Sequence, residues 1–255
     1  MAENNNIILE MPIRMNECGP DGKLRSHIWF DYLQHIAAIH AEKLGFGMSA
    51  IKENNLIWVL SRIKVIMEDA PRYDDVLRVE SYHNGVEKLF AKRQFIVTSA
   101  LSGKRFGYAS SFWLTLELPT FRPRPPANFL KERVLENVEK EDFFPMLDKL
   151  SCPGELSGEL HYDINSSNID LNDHLNNTFY SAYALDWIAR TVQGHIQLKE
   201  IQVNYNRAMQ FGEELIVKGC LLGEDGFYVE GFDRENGKNS FQATGRFSRQ
   251  IANLH

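Results

Sequence analysis

Asn177-Thr-Phe-Tyr-Ser-Ala-Tyr-Ala-Leu-Asp-Trp-Ile-Ala-Arg-Thr191 decides how this chain folds, because its pattern is written twice. Apolar pairs at Phe179/Tyr180, Tyr183/Ala184 and Trp187/Ile188 recur at four-residue steps. That spacing lines them along one face of a helix. A second such helix reads from about Ser26 to Leu44, with pairs at Ile28/Trp29, Tyr32/Leu33 and Ile36/Ala37. One offset of 151 residues superposes the two sets and also sets Leu24 on Leu175. Ser26 and Asn177 stand where an N-cap is expected, and both side chains can accept first-turn N–H groups.

The repeat continues beyond the helices. Ile63-Lys64-Val65 and Ile201-Gln202-Val203 begin alternating stretches. Tyr73, Asp75, Leu77 and Val79 then match Phe211, Glu213, Leu215 and Val217 at an offset of 138. The second copy therefore has the shorter helix-to-strand connection. Strands are expected at Val76–Tyr82, Glu87–Ala100 and Lys104–Leu118, with turns at Asn84-Gly85 and Ser102-Gly103. In the second half they are expected at Glu214–Leu222, Gly226–Arg234 and Asn239–Gln250, with Gly-containing turns between them. The fold class is α+β, with two tandem copies. A bent antiparallel sheet wrapped around one long helix suits helices this apolar; a helix lying on one sheet face is the alternative. Pro119, Pro123, Pro125 and Pro126 mark a stiff connection. An acidic, helix-like stretch follows from Asn128 to Leu150. The expected division is 1–118, a linker at 119–158, and 159–255.

Composition narrows the function. The chain has 255 residues, a 44% apolar share and a net charge of −6. It is globular, and its charge disfavours a nucleic-acid binder. No apolar run approaches the ~20 residues that span a bilayer, and Ile7-Ile8-Leu9 is too short for an export signal. Cys18, Cys152 and Cys220 are scattered, which suits reduced thiols in the cytoplasm better than disulfides or a metal site.

Chemistry concentrates in Asn168-Ile-Asp170-Leu-Asn172-Asp-His174-Leu-Asn176-Asn177, just before the second helix. In an extended strand, Asp170, Asn172 and His174 would share one face; a tighter turn would also gather them. The adjoining helix N-terminus offers N–H groups to a developing oxyanion, with Asn176 and Asn177 as candidates. The first copy has Gly19, Asp21 and Lys23 at the three positions. The polar trio is therefore present in one copy only.

The stretch Asp170-Leu-Asn-Asp-His-Leu-Asn-Asn-Thr-Phe-Tyr180 resembles the signature of the acyl-ACP thioesterases, a family of tandem hotdog domains. Asp21-Gly-Lys-Leu-Arg-Ser-His-Ile-Trp-Phe-Asp-Tyr-Leu-Gln34, His40-Ala-Glu-Lys-Leu-Gly45 and the strand around Trp58 resemble its N-terminal domain. The resemblance implies two hotdog domains and hydrolysis of fatty acyl-acyl carrier protein, with Asp170, Asn172 and His174 catalytic. It calls for no metal and no organic cofactor. Plant members carry a Glu–Cys pair where this chain has Ala208 and Met209, so the remaining mechanism is attack by water. Either Asp170 or His174 would be the base. The first half would hold the acyl chain, with Tyr32, Ile36, Leu56, Trp58 and Leu60 as candidates. Acyl carrier protein is acidic, so docking needs a local basic patch. Lys92, Arg93, Lys104, Arg105, Arg122 and Arg124 are its candidates. Acyl-CoA hydrolysis and acyl binding without turnover are the competing readings. The chain is expected to act as a monomer or a homodimer.

Overall fold

Both helices form where the apolar pairs place them. Helix α1 spans Ile28–Lys43 and α2 spans Asn177–Val192. Trp29, Phe30, Tyr32, Leu33, Ile36 and Ala37 are buried on α1; Tyr180, Ser181, Tyr183, Ala184, Trp187 and Ile188 are buried on α2. The 151-residue offset maps one set onto the other, residue for residue. Removing each large side chain of this kind from water contributes ~1.5–3 kcal/mol. The computed structural model describes residues 6–48, 53–126 and 140–249. It divides into two compact units, Met1–Leu24 with Asp31–Leu147, and Arg25–Phe30 with Asp148–His255.

The first unit contains β1 (Asn6–Pro12), β2 (Leu56–Met67), β3 (Val76–Glu87), β4 (Phe90–Ser99), β5 (Arg105–Glu117) and β6 (Arg122–Arg124). Its sheet runs β1-β3-β4-β5-β2, antiparallel at every step, with β6 added to the end of β5. The second contains β7 (Ser157–Asp163), β8 (Ile196–Tyr205), β9 (Glu214–Leu222), β10 (Gly226–Asp233) and β11 (Asn239–Arg249). Its order is β7-β9-β10-β11-β8, the same topology. Helix α2 touches all five of these strands, as a wrapped helix must. The Trp187 indole N–H donates to the carbonyls of Ser157 and Gly158, fastening α2 to β7. A Cβ at Gly158 would lie 2.8 Å from that indole nitrogen.

Three expectations need correction. Asn84-Gly85 does not form a turn: β3 runs through it with a register shift between His83 and Val86. The reversal falls at Lys88-Leu89, with Lys88 left-handed at φ 55°. The acidic stretch is not helical over 140–150, and 128–139 lies outside the described residues. Instead, 140–147 forms a strap over one face of the first sheet. Lys140 pairs with Glu80, and the Glu141 carbonyl accepts from the Tyr82 hydroxyl at 2.8 Å. Asp142 meets Lys92 and Gln94, Phe143 and Phe144 stack near Tyr108, and the Leu147 carbonyl accepts from Arg62. Finally, α1 begins at Ile28, two residues past Ser26.

Candidate active site

Residues 168–177 are built on the same backbone plan as residues 17–26. A short 3-10 turn at Ser166–Asn168 matches one at Met15–Glu17. The bridge Ile169↔Leu175 matches Cys18↔Leu24. Asp170 N–H donates to the His174 carbonyl at 2.8 Å, as Gly19 N–H does to Lys23. Asp173 N–H donates to the Asp170 carbonyl at 3.0 Å, as Gly22 N–H does to Gly19. The polar trio therefore sits on a closed turn, not along an extended strand. The Asp170 carboxylate accepts Asn172 N–H at 2.8 Å, which pins its Oδ1 within the turn. Asn172 is exposed, while Asp170 and His174 are half-buried.

Asp173 closes this turn in the left-handed region, at φ 61°, where the first unit has Gly22 at 72°. A side chain there is strained, least so for Asp or Asn. Asp173→Gly is expected to raise the unfolding free energy by about 0.5–1 kcal/mol. Urea denaturation reads this directly, and an unchanged midpoint would mean that the turn holds Asp173 without strain.

The helix start differs from the expectation by one residue. Asn176, not Asn177, is the N-cap, and its side chain accepts Thr178 N–H at 3.0 Å. The N–H of Asn176 is committed to the Asn168 carbonyl at 2.9 Å, so it cannot serve an oxyanion. Asn177 N–H has no acceptor among the described residues and remains the candidate donor.

A second loop lies against the turn. Leu175 N–H donates to the Met209 carbonyl at 2.8 Å, so Ala208-Met209 sits beside the trio. Ala208 is exposed and Met209 is buried. Two residues that sequence reading missed hold this loop. The Tyr180 hydroxyl accepts Met209 N–H at 3.1 Å. Arg207 is clamped by Glu213 at 2.5 Å and by the buried Asp233 at 2.9 Å. Those acids lie 6 and 26 positions downstream, and local pattern carries no signal for them.

Among the acyl-site candidates, Ile36 and Leu60 are buried, while Leu56 and Trp58 are half-buried on β2. Trp58 donates its indole N–H to the Phe46 carbonyl at 3.0 Å. The Tyr32 hydroxyl bonds the Glu17 carboxylate at 2.6 Å, so its polar end is already spoken for.

The basic patch does not form as expected. Lys92 and Arg93 are only 8% and 3% exposed, because β4 is covered on both faces. Lys92 points to the strap and Asp142, and its neighbour Arg93 points to the opposite face, against His40 of α1. Lys104 pairs with Asp69, Arg105 with Glu68, and Arg124 with Glu117. Arg105 starts β5 with Lys104 just before it, whereas Arg122 and Arg124 pair with its end. At about 3.3 Å per residue, those two groups lie roughly 40 Å apart along the strand. They cannot form one patch.

Models of two protein domains match the chain. The acyl-ACP thioesterase N-terminal domain matches residues 6–129, and the acyl-ACP thioesterase C-terminal domain matches 154–249. The chain belongs to the acyl-ACP thioesterase family. It is 22% identical over 214 residues to oleoyl-acyl carrier protein thioesterase 1 of Arabidopsis thaliana, covering 78% of this chain and 59% of that protein. It is 25% identical to the palmitoyl-acyl carrier protein thioesterase of the same plant, covering 83% and 55%. The chain thus spans little more than half the length of the curated relatives it matches. Two solved structures share the hotdog fold. An acyl-ACP thioesterase from Bacteroides thetaiotaomicron gives a TM-score of 0.81 at 23% identity, covering 96% of this chain and 98% of its own. A 12:0-ACP thioesterase from Umbellularia californica gives 0.83 at 19%, covering 97% and 99%. No helix among the described residues of this family member is long and apolar enough to cross a membrane.

Proposed function

We propose that the chain hydrolyses the thioester of fatty acyl-acyl carrier protein in the cytoplasm, releasing free fatty acid and ending chain elongation. One observation carries this beyond family membership. The first unit closes the same turn with Gly19, Asp21 and Lys23, so the fold does not need Asp170, Asn172 and His174 to build it. Among the described residues, the Asn172 and His174 side chains and the second Asp170 oxygen take no part in the turn's hydrogen bonds.

His174 acts as the general base: an imidazole suits proton transfer near neutral pH. It takes a proton from water, whose oxygen bonds to the acyl carbon. The Asn172 amide orients the water, and Asn177 N–H faces the developing oxyanion. The C–S bond then breaks, and the departing thiolate takes the proton. Asp170 holds the turn through Oδ1, and its charge is assigned to stabilise the imidazolium. Asp170→Asn separates these roles, since an amide oxygen can still accept Asn172 N–H. The variant is expected to melt like the parent and to lose at least about tenfold in kcat. A full rate would leave Asp170 with the turn alone.

Incubating the chain with acyl-ACPs of several lengths should release fatty acid and free thiol. No release at any length, with saturable binding retained, would reassign the chain to acyl binding. Faster turnover of acyl-CoA than of acyl-ACP would change the carrier. Leu56 and Trp58 of the first unit are the proposed acyl contacts.

A further inference from the structure

The proposed hydrolysis makes no use of the guanidinium buried in the first unit. Arg93 contacts His40 Nδ1 at 2.8 Å, Ser81 Oγ at 3.0 Å and His83 Nε2 at 2.5 Å. All three are neutral acceptors, because burial holds His40 down to about 3 and His83 well below the usual imidazole range. Burial lowers Arg93 to about 9, which still leaves it charged at neutral pH. No carboxylate contacts it among the described residues. A buried cation without a counter-charge is costly.

A second orphan lies beside it. His40 is 2% exposed, and its Nδ1 accepts from Arg93, so its proton resides on Nε2. That Nε2 has no hydrogen-bond partner among the described residues. A buried donor left unmade asks for an acceptor. The adjoining His83 ring borders an apolar cluster. The Phe46 ring lies 5.1 Å from the His83 ring and 6.3 Å from the Trp58 ring, and Ala91, Val86 and Trp113 pack into the same cluster. An apolar wall with a few convergent polar donors is how small-molecule sites are built.

We propose that the first unit takes acyl chains bearing an oxygen function remote from the thioester (a hydroxyl, oxo or carboxylate group), whose oxygen accepts from Arg93 and His40. This rests on reading the chain as an acyl-thioester hydrolase whose first unit holds the acyl chain. The competing role is a purely structural knot tying the end of α1 to β3 and β4, which would be indifferent to oxygen on the ligand.

The test uses the wild-type chain and S-alkyl pantetheine thioethers, which cannot be hydrolysed. Chains of matched length are compared with and without a distal hydroxyl, oxo or carboxylate group, by calorimetry. At least one oxygenated series is expected to bind tenfold or more tightly than its plain counterpart. Equal or weaker binding of all three overturns the proposal. Arg93→Met is expected to erase the preference, read as the ratio of oxygenated to plain-chain affinity. If that variant does not fold, His40→Phe is expected to cut the preference, and an unchanged preference in a folded variant overturns the assignment. Thiol release from acyl-ACP is scored separately. Preference without turnover sinks only the hydrolase reading, and turnover without preference sinks only this one.

Discussion

His174→Ala is expected to lower kcat for acyl-ACP hydrolysis by about 10²–10⁴-fold, the usual worth of a positioned general base. The fold should not notice. His174 contributes to the turn through its carbonyl, which accepts Asp170 N–H and is present in any residue. The first unit closes the matching turn with Lys23 in that place. Melting should therefore shift by no more than a surface substitution allows, about 0.5 kcal/mol. Single-turnover rates on one acyl-ACP measure the loss. A rate equal to the parent's removes His174 from proton transfer and leaves Asp170 as the base. A collapse of folding would show instead that the imidazole packs structurally.

The second large effect is on stability in mild acid. His40 and His83 are buried against Arg93, and in each the nitrogen that would take a proton already accepts from the guanidinium. Protonation must break that bond and set a second cation beside the first. An unfolded imidazole titrates near 6.5, whereas folded His40 is pushed to about 3. Between those values the unfolded chain binds more protons, so stability falls as pH falls. Each imidazole contributes about 1.4 kcal/mol per pH unit. His40 alone removes on the order of 2 kcal/mol between pH 6.5 and 4.5, and His83 adds in the same direction, a large share of the ~5–15 kcal/mol stability of a domain. His27, held near 4 chiefly by burial, adds to the slope. The exposed His161, raised by its hydrogen bonds to Glu214 and Glu159, opposes it. Glu17 and Glu80 join only at lower pH: burial raises both, but hydrogen bonds from Tyr32 and Arg14, and from Lys140 and Asn6, outweigh it. Urea midpoints between pH 7.5 and 5 test this. A flat series would mean that both imidazoles titrate in the folded chain as they do in the unfolded one.

The fold was legible because duplication turns one ambiguous pattern into two concordant ones. The 151-residue offset read from Ile28 and Phe179 holds down to single bonds: Ile13 N–H to the Asp75 carbonyl answers Ile164 N–H to that of Glu213. The partner residues there obey the second offset, 138. The location of the trio was legible for the same reason, since its difference from Gly19, Asp21 and Lys23 stood out against a matched background. Its local shape was not. Alternation left a strand and a tighter turn both open, and a positive φ at Asp173 with the Asp170–Asn172 bond makes it the turn. The basic patch failed for a longer-range reason. Whether Lys92 meets solvent depends on the strap at 140–147, which has no periodic pattern and lies fifty residues away along the chain. Arg93 reads as surface by composition and is interior because α1 ends beside it.

The connection after α1 covers residues 44–55, while that after α2 covers only 193–195. The longer one brings Phe46 to His83 and Trp58, and nothing among the described residues of the second unit answers it. The two matched units thus differ in separate currencies, one by a longer connection and the other by three side chains on a turn. If the proposed roles hold, mutations that retune ligand choice and mutations that retune bond breaking fall in separate stretches of the gene. On the proposed function, a lineage could change what it accepts without risking how it cuts.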